Sequence, residues 1–362
     1  MKKLHRSTSA TRLAATAGSP AEHITQRPIF FVVGNSRSGT TMLGRILQRS
    51  PDIHVFRELH FFERLWYRND ANRVLPDEEV AWLVTQLLQT SRTGVINARY
   101  DTESSEEALS LVQEHGLRNC TALELYQSFM RIQANSAKQG SSPCEQTPKN
   151  GFYLEEILTD ISRSKVIRVT RDPRDVLVSQ KRKWKRKEAS VKTMTLLERV
   201  RLFVSYHPLI IGKLWVSLTS STDAWLEHPR MHTIRFEDFV REPETHVRDL
   251  CTFLEIPYSE DLLDISRLGS SVREDDLGLR GVDADRAESW QRYGGINSAE
   301  LFLCQFAARK KMEQHGYVFQ QVFPNPVLLV YYLANFPLKV IAAILLNRGR
   351  MKNTVEAIKR RI

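Results

Sequence analysis

The stretch that most constrains this chain runs from Pro28 to Glu58. Ile29, Phe30, Phe31, Val32 and Val33 form an apolar run of the length of one buried strand. Gly34-Asn35-Ser36-Arg37-Ser38-Gly39-Thr40-Thr41 follows at once. Met42, Leu43, Ile46 and Leu47 then fall at helical spacing, and Pro51 lies just past the helix end. Strand, glycine-framed loop and helix together aim backbone N–H groups at an anion. The Gly34-to-Gly39 spacing is that of a nucleotide phosphate loop, but Thr40 stands where such loops carry a lysine. The cation, Arg37, lies inside the loop instead. The loop suits a phosphate and is poorly built for ATP–Mg chemistry. Read alone, it could also be no more than a tight turn.

Two further segments bear on that choice. Ile53 to Phe56 reads as a short strand or pinned loop, followed by Glu58. At the C-terminal end of a strand beside the first one, Glu58 would point into the same crevice as the loop; otherwise it is an ordinary surface glutamate. Val166 to Thr170 reads as a strand, followed by Arg171-Asp172-Pro173. Asp172 suits an N-cap, Pro173 the first helical position and Asp175 the first turn. Arg171 then stands beside a helix N-terminus, with Ser179 two turns along. A purely structural Arg–Asp cap accounts for Asp172 but not for Ser179.

Arg37-Ser38-Gly39-Thr40-Thr41 resembles the 5′-phosphosulfate loop of the sulfotransferases that use 3′-phosphoadenosine 5′-phosphosulfate (PAPS). Glu58-Leu59-His60-Phe61-Phe62 and Trp66-Tyr67-Arg68 are similar to glycan sulfotransferases, and the motif set also resembles the tyrosylprotein enzymes. The resemblance implies a three-layer α/β/α fold with a mainly parallel central sheet, like that of P-loop NTPases. It implies cofactor binding by Arg37, Ser38, Gly39, Thr40 and Thr41. Glu58 would be the general base, and Arg37 would stabilise the leaving group. Arg171 and Ser179, eight residues apart as in the family, would hold the 3′-phosphate. The family tends to carry a lysine two residues before Pro148, where this chain has Gln146; Lys149 would supply the cation from one residue beyond the proline, or would be a solvated helix-start lysine. PAPS is the implied co-substrate, no metal is required, and the acceptor is a hydroxyl on a carbohydrate or lipid. The alternatives are a P-loop kinase or NTPase and a non-catalytic nucleotide-binding relative.

The rest of the chain is read around that domain, expected over 27–320. Residues 1–26 read as a flexible basic tail, with a transit peptide as the alternative. Val80, Leu83, Val84, Leu87 and Leu88 predict a helix over 77–89, and helices are also expected near 108–112 and over 123–132. Ala134 to Pro143 reads as a loop. Met231 to Phe236 reads as a third strand, 266–292 as loop, and 288–317 as a last helix. Arg273, Arg280 and Arg286 are candidates to meet the nucleotide, with no means of choosing among them. A net charge of +10 favours anionic partners, and the six cations of 181–187 fit a solvated helix or the steering of an anion. No motif for nucleic acid accompanies them. Four widely spaced cysteines without a CxxC pair suit a reducing compartment. A cytoplasmic location, peripheral at a membrane, is the expectation. Within the appendage 321–362, Pro326 to Leu346 is apolar and near spanning length, interrupted by Pro337 and Lys339 and flanked by Arg348, Arg350, Lys352, Lys359, Arg360 and Arg361. A membrane-surface or re-entrant anchor, a helical hairpin packed on the domain and a homodimer contact are its open readings.

Overall fold

The computed structural model describes residues 27–93, 102–185, 196–267, 278–292, 294–347 and 354–361. The basic tail 1–26, part of the cation run at 186–187, and Arg273 lie outside the described residues. Five parallel strands form one sheet: β1 (Ile29–Gly34), β2 (Ile53–Phe56), β3 (Ser142–Glu145), β4 (Ser164–Thr170) and β5 (Met231–Arg235), in the order β2-β3-β1-β4-β5. β1 is central and buried along its whole length, which is why it reads as a continuous apolar run. Its side chains alternate between two cores. Ile29, Phe31 and Val33 join one, and Phe30 and Val32 join the other.

The helices that matter here are α1 (Thr40–Gln48), α2 (Asp77–Thr93), α3 (Ala122–Ala137), α4 (Pro173–Lys185), α5 (Leu196–Ser205), α6 (Pro208–Asp223), α7 (Pro243–Leu254), α8 (Ser298–Gln314), α9 (Pro326–Asn347) and α10 (Thr354–Lys359). Residues of α2 and α3 pack with Phe31 on one face of the sheet, and residues of α1 and α7 pack with Phe30 on the other. Helices on both faces of a parallel sheet give the expected α/β fold. Reciprocal capping boxes start α3, through Thr121 and Glu124, and α8, through Asn297 and Glu300.

The structure corrects four sequence readings. The stretch 134–143 is not simply a loop: α3 runs to Ala137, and β3 begins at Ser142. Ser-Pro-Cys-Glu has no strand propensity, and its pairing with β1 and β2 is imposed by the surrounding fold. Consequently β2 is not beside β1, because β3 lies between them. The last helix is divided, with one turn at Ser289–Arg292 and then α8. Finally, α9 is one continuous helix with Pro337 inside it, so the hairpin reading falls.

Candidate functional site

The loop between β1 and α1 closes with Ser38 N–H donating to the carbonyl of Asn35 at 3.0 Å. Arg37 has φ 78°, a left-handed backbone that is uncommon for a residue with a Cβ. Gly39 has φ 102°, and a Cβ there would come within 2.5 Å of the Phe236 ring. Two constraints therefore fix glycine at 39: its backbone conformation and the ring packed against it. Thr40 is buried at the first position of α1, while Thr41 is exposed. Asn35 donates from Nδ2 to Thr219 Oγ1 at 3.1 Å, so α6 holds the loop from one side.

The distant residues of the second motif come to this loop. Arg37 Nε donates to Ser179 Oγ at 3.0 Å, and Arg171 Nη1 donates to the carbonyl of Arg37 at 3.1 Å. Register explains the meeting: β1 and β4 are neighbours, with Gly34 opposite Val169, so both loops leave the same end of the sheet. Arg171 is 5% exposed. It also donates to the carbonyl of Arg286 at 2.8 Å, lies 4.0 Å from the Phe236 ring centre, and stands 3.6 Å from Asp175. Trp215 Nε1 donates to the carbonyl of Arg171 at 2.8 Å. Asp175 accepts from Ser289 Oγ and Trp290 N–H, and burial pushes its carboxyl up despite Arg171. Of the three arginines named for this region, Arg286 reaches the site through its carbonyl; Arg280 pairs with Asp264 at the surface.

Glu58 follows β2 and is half-exposed, with Oε2 3.3 Å from His60 Nε2. His60 Nδ1 stands 4.0 Å from Glu63, and the His60 backbone is left-handed, with φ 54°. The segment is tied down by Glu145 at the end of β3. This fully buried carboxylate accepts from Leu59 N–H at 3.1 Å, from Asn150 Nδ2 at 2.9 Å, and from the hydroxyls of Tyr126 and Thr147. Burial raises its pKa, and the four donors work against that rise.

Lys149, one residue past Pro148, faces Glu63. Its ammonium meets both carboxylate oxygens of Glu63, at 3.1 and 3.2 Å. Gln146 sits against α1, where a Cβ on Gly44 would come within 2.3 Å of its Oε1. Arg361 also binds Glu63, and Arg360 donates to the carbonyl of Phe152 and to Glu156. Burial alone would raise the Glu63 carboxyl, but Lys149 and Arg361 outweigh it and hold it at about 2. Two cations that flank the apolar stretch in sequence thus fold back to this side of the site.

Sequence reasoning missed Asn35 with Thr219, Glu145, His60, Glu63 and the Asp175–Trp290 clasp. Each depends on a contact between segments far apart in the chain. Glu145 carried the best available signal, since it directly precedes Gln146-Thr147-Pro148.

The loop, the two arginines that meet beside it and the parallel sheet define an α/β domain with a phosphate-loop-like turn after its central strand. A model of the sulfotransferase family matches residues 28–260, well over half of the chain, and the protein belongs to that family. The sulfotransferase domain of the Synechococcus PCC 7002 olefin synthase superposes with a TM-score of 0.50 at 19% identity, over 81% of this chain and 96% of that one. The sulfotransferase domain from the curacin biosynthetic pathway superposes at 0.48 with 16% identity, over 81% and 99%. No curated protein sequence matches.

Proposed function

We propose that the protein transfers a sulfuryl group from PAPS to a hydroxyl of a carbohydrate or lipid acceptor. The observation that carries this reading is the junction of Arg37, Ser179 and Arg171 beside the loop. Buried polar atoms in the same place support it: Ser38 Oγ and Arg171 Nε have no hydrogen-bond partner among the described residues. Phosphate oxygens are acceptors that suit both. Loop N–H groups, Arg37, Ser38, Gly39, Thr40 and Thr41 would hold the 5′-phosphosulfate, and Arg171 and Ser179 the 3′-phosphate. Serving two anionic groups at once selects PAPS over a nucleotide phosphorylated only at the 5′ position.

In this reading Glu58 accepts the proton of the acceptor hydroxyl as its oxygen bonds to sulfur. The bond from sulfur to the bridging oxygen breaks, and its electron pair leaves with the phosphate. Arg37 stabilises that charge. His60, held between Glu58 and Glu63, positions the base. Gln146 brings no charge, and Lys149 is shared with Glu63, so Arg37 bears most of the leaving-group stabilisation.

The test is transfer of radiolabelled sulfate from PAPS across carbohydrate, lipid and phenol acceptors. Labelled product from a carbohydrate or lipid supports the proposal. Tight binding of the nucleotide with no transfer to any acceptor favours a non-catalytic relative, the outcome that Gln146 would explain.

A further inference from the structure

Helix α9 is long and apolar enough to cross a membrane, yet none of its apolar window is buried. Polar ties pin one side of it along the domain. His207 Nδ1 accepts from Leu209 N–H, which leaves Nε2–H to donate to the carbonyl of Tyr332 at 3.0 Å. The Tyr332 hydroxyl donates to Glu300 Oε1 at 2.8 Å. Lys339 Nζ donates to the carbonyls of Phe203 and Tyr206, and Arg201 Nε to that of Leu346 at 2.9 Å. These ties are spread along the helix, so its rotation about its own axis is fixed. The side turned outward carries Val327, Val330, Tyr331, Leu338, Ile341 and Leu345, each 55–75% exposed. Spacings of three, four and seven residues keep them on one strip of the helix. Val200 and Phe203 of α5 are also exposed and belong to the helix packed against α9. Such an area, on the order of several hundred Å², is more than a soluble monomer ordinarily leaves to water.

We infer that this strip is the face by which the protein lies on an anionic lipid bilayer, with α9 in the plane of the interface. A spanning placement would carry Glu300, Arg201 and Lys339, which hold the helix, into hydrocarbon. Charge chooses the occupant. The sequence from Gln314 to Val355 has no acidic residue, and Arg348, Arg350 and Lys352 follow α9 directly in sequence. Arg199 of α5 is exposed. A second copy of this stretch offers no acidic residue to pair with these cations. Anionic headgroups neutralise them while the acyl boundary takes the apolar side chains. The inference is independent of the sulfuryl-transfer reading.

Flotation of the full chain with vesicles tests it. Binding is expected to phosphatidylcholine vesicles holding about 30% phosphatidylserine, and to fall at least tenfold without phosphatidylserine or at about 0.5 M salt. The double variant Val330→Glu, Ile341→Glu changes only outward side chains. It should lose at least tenfold in vesicle binding while keeping the wild-type melting temperature and affinity for 3′-phosphoadenosine 5′-phosphate. In a Tyr331→Trp variant, brominated acyl chains should quench fluorescence beyond the wild-type level. Absence of vesicle binding overturns the inference, as does unchanged binding by the double variant or an added indole signal that lipid does not quench. Equal binding to neutral vesicles overturns the anionic requirement. A dimer in light scattering that the double variant dissociates assigns the strip to a second copy instead.

Discussion

The two sides of the site are built differently. Around the loop, buried groups hold one another: Arg171 grips the Arg37 backbone, Trp215 grips Arg171, and Phe236 closes against Gly39. Around Glu58 the anchor is the buried carboxylate Glu145, and the ion pairs above it join a half-exposed partner, Glu58 or Lys149, to a largely covered one, His60 or Glu63. A half-exposed partner moves at less cost than a buried one, which is fixed by the penalty of leaving it unpaired. In the proposed reading, the more fixed side holds the nucleotide and the less fixed side admits and releases the acceptor.

Substitutions can break or sharpen that contrast. The largest effect is expected for Glu58→Gln, with kcat falling about 10²–10⁴-fold and nucleotide affinity staying within about twofold. A fully active variant would remove Glu58 from the base role and make the acceptor side a passive cleft. Arg171→Ala should weaken nucleotide binding about 100-fold, or about 2.7 kcal/mol, with a smaller loss in kcat. Calorimetry with 3′-phosphoadenosine 5′-phosphate measures it, and an affinity within threefold of wild type would show the loop side to be less fixed than its contacts imply. Gly39→Ala should cost about tenfold in the same affinity, since the ring and the left-handed backbone both resist the new methyl.

The smallest effect belongs to Glu63. Its pKa of about 2 lies below the ordinary value of 4.5. The stability contributed by its pairing is therefore complete above about pH 4.5 and fades as pH falls towards 2. Hydrogen exchange in residues 354–361 should rise a few-fold over that window, and Arg361→Ala should produce the same rise at neutral pH. Exchange that is flat with pH in both proteins would mean that Glu63 does not secure the C-terminal helix.

What could be read from the sequence follows the same division. β1, its loop and the Arg171 segment were legible because each carries its own local signature: a continuous apolar run, framed glycines, and Asp-Pro at a helix start. The base role proposed for Glu58 rests on the resemblance and on its place just after β2. The strand that separates β2 from β1 was not legible, because Ser142-Pro143-Cys144-Glu145 pairs by placement rather than propensity. Glu145 becomes an anchor only when Tyr126, Thr147, Asn150 and Leu59 converge on it. For α9, the pattern revealed the apolar stretch but not its orientation. That is set by His207, Arg201 and Glu300, none of which belongs to it.

The bond between Glu63 and Arg361 joins positions 298 residues apart. During synthesis, the carboxylate leaves the ribosome long before its second cation exists. Lys149 arrives first and can steady the nascent pocket. Its final electrostatic balance is struck only once translation has passed Arg361 and the tail has swung back. A chain that ended within α9 would keep the phosphate loop and the residues around it but lack the Arg361 contact to Glu63.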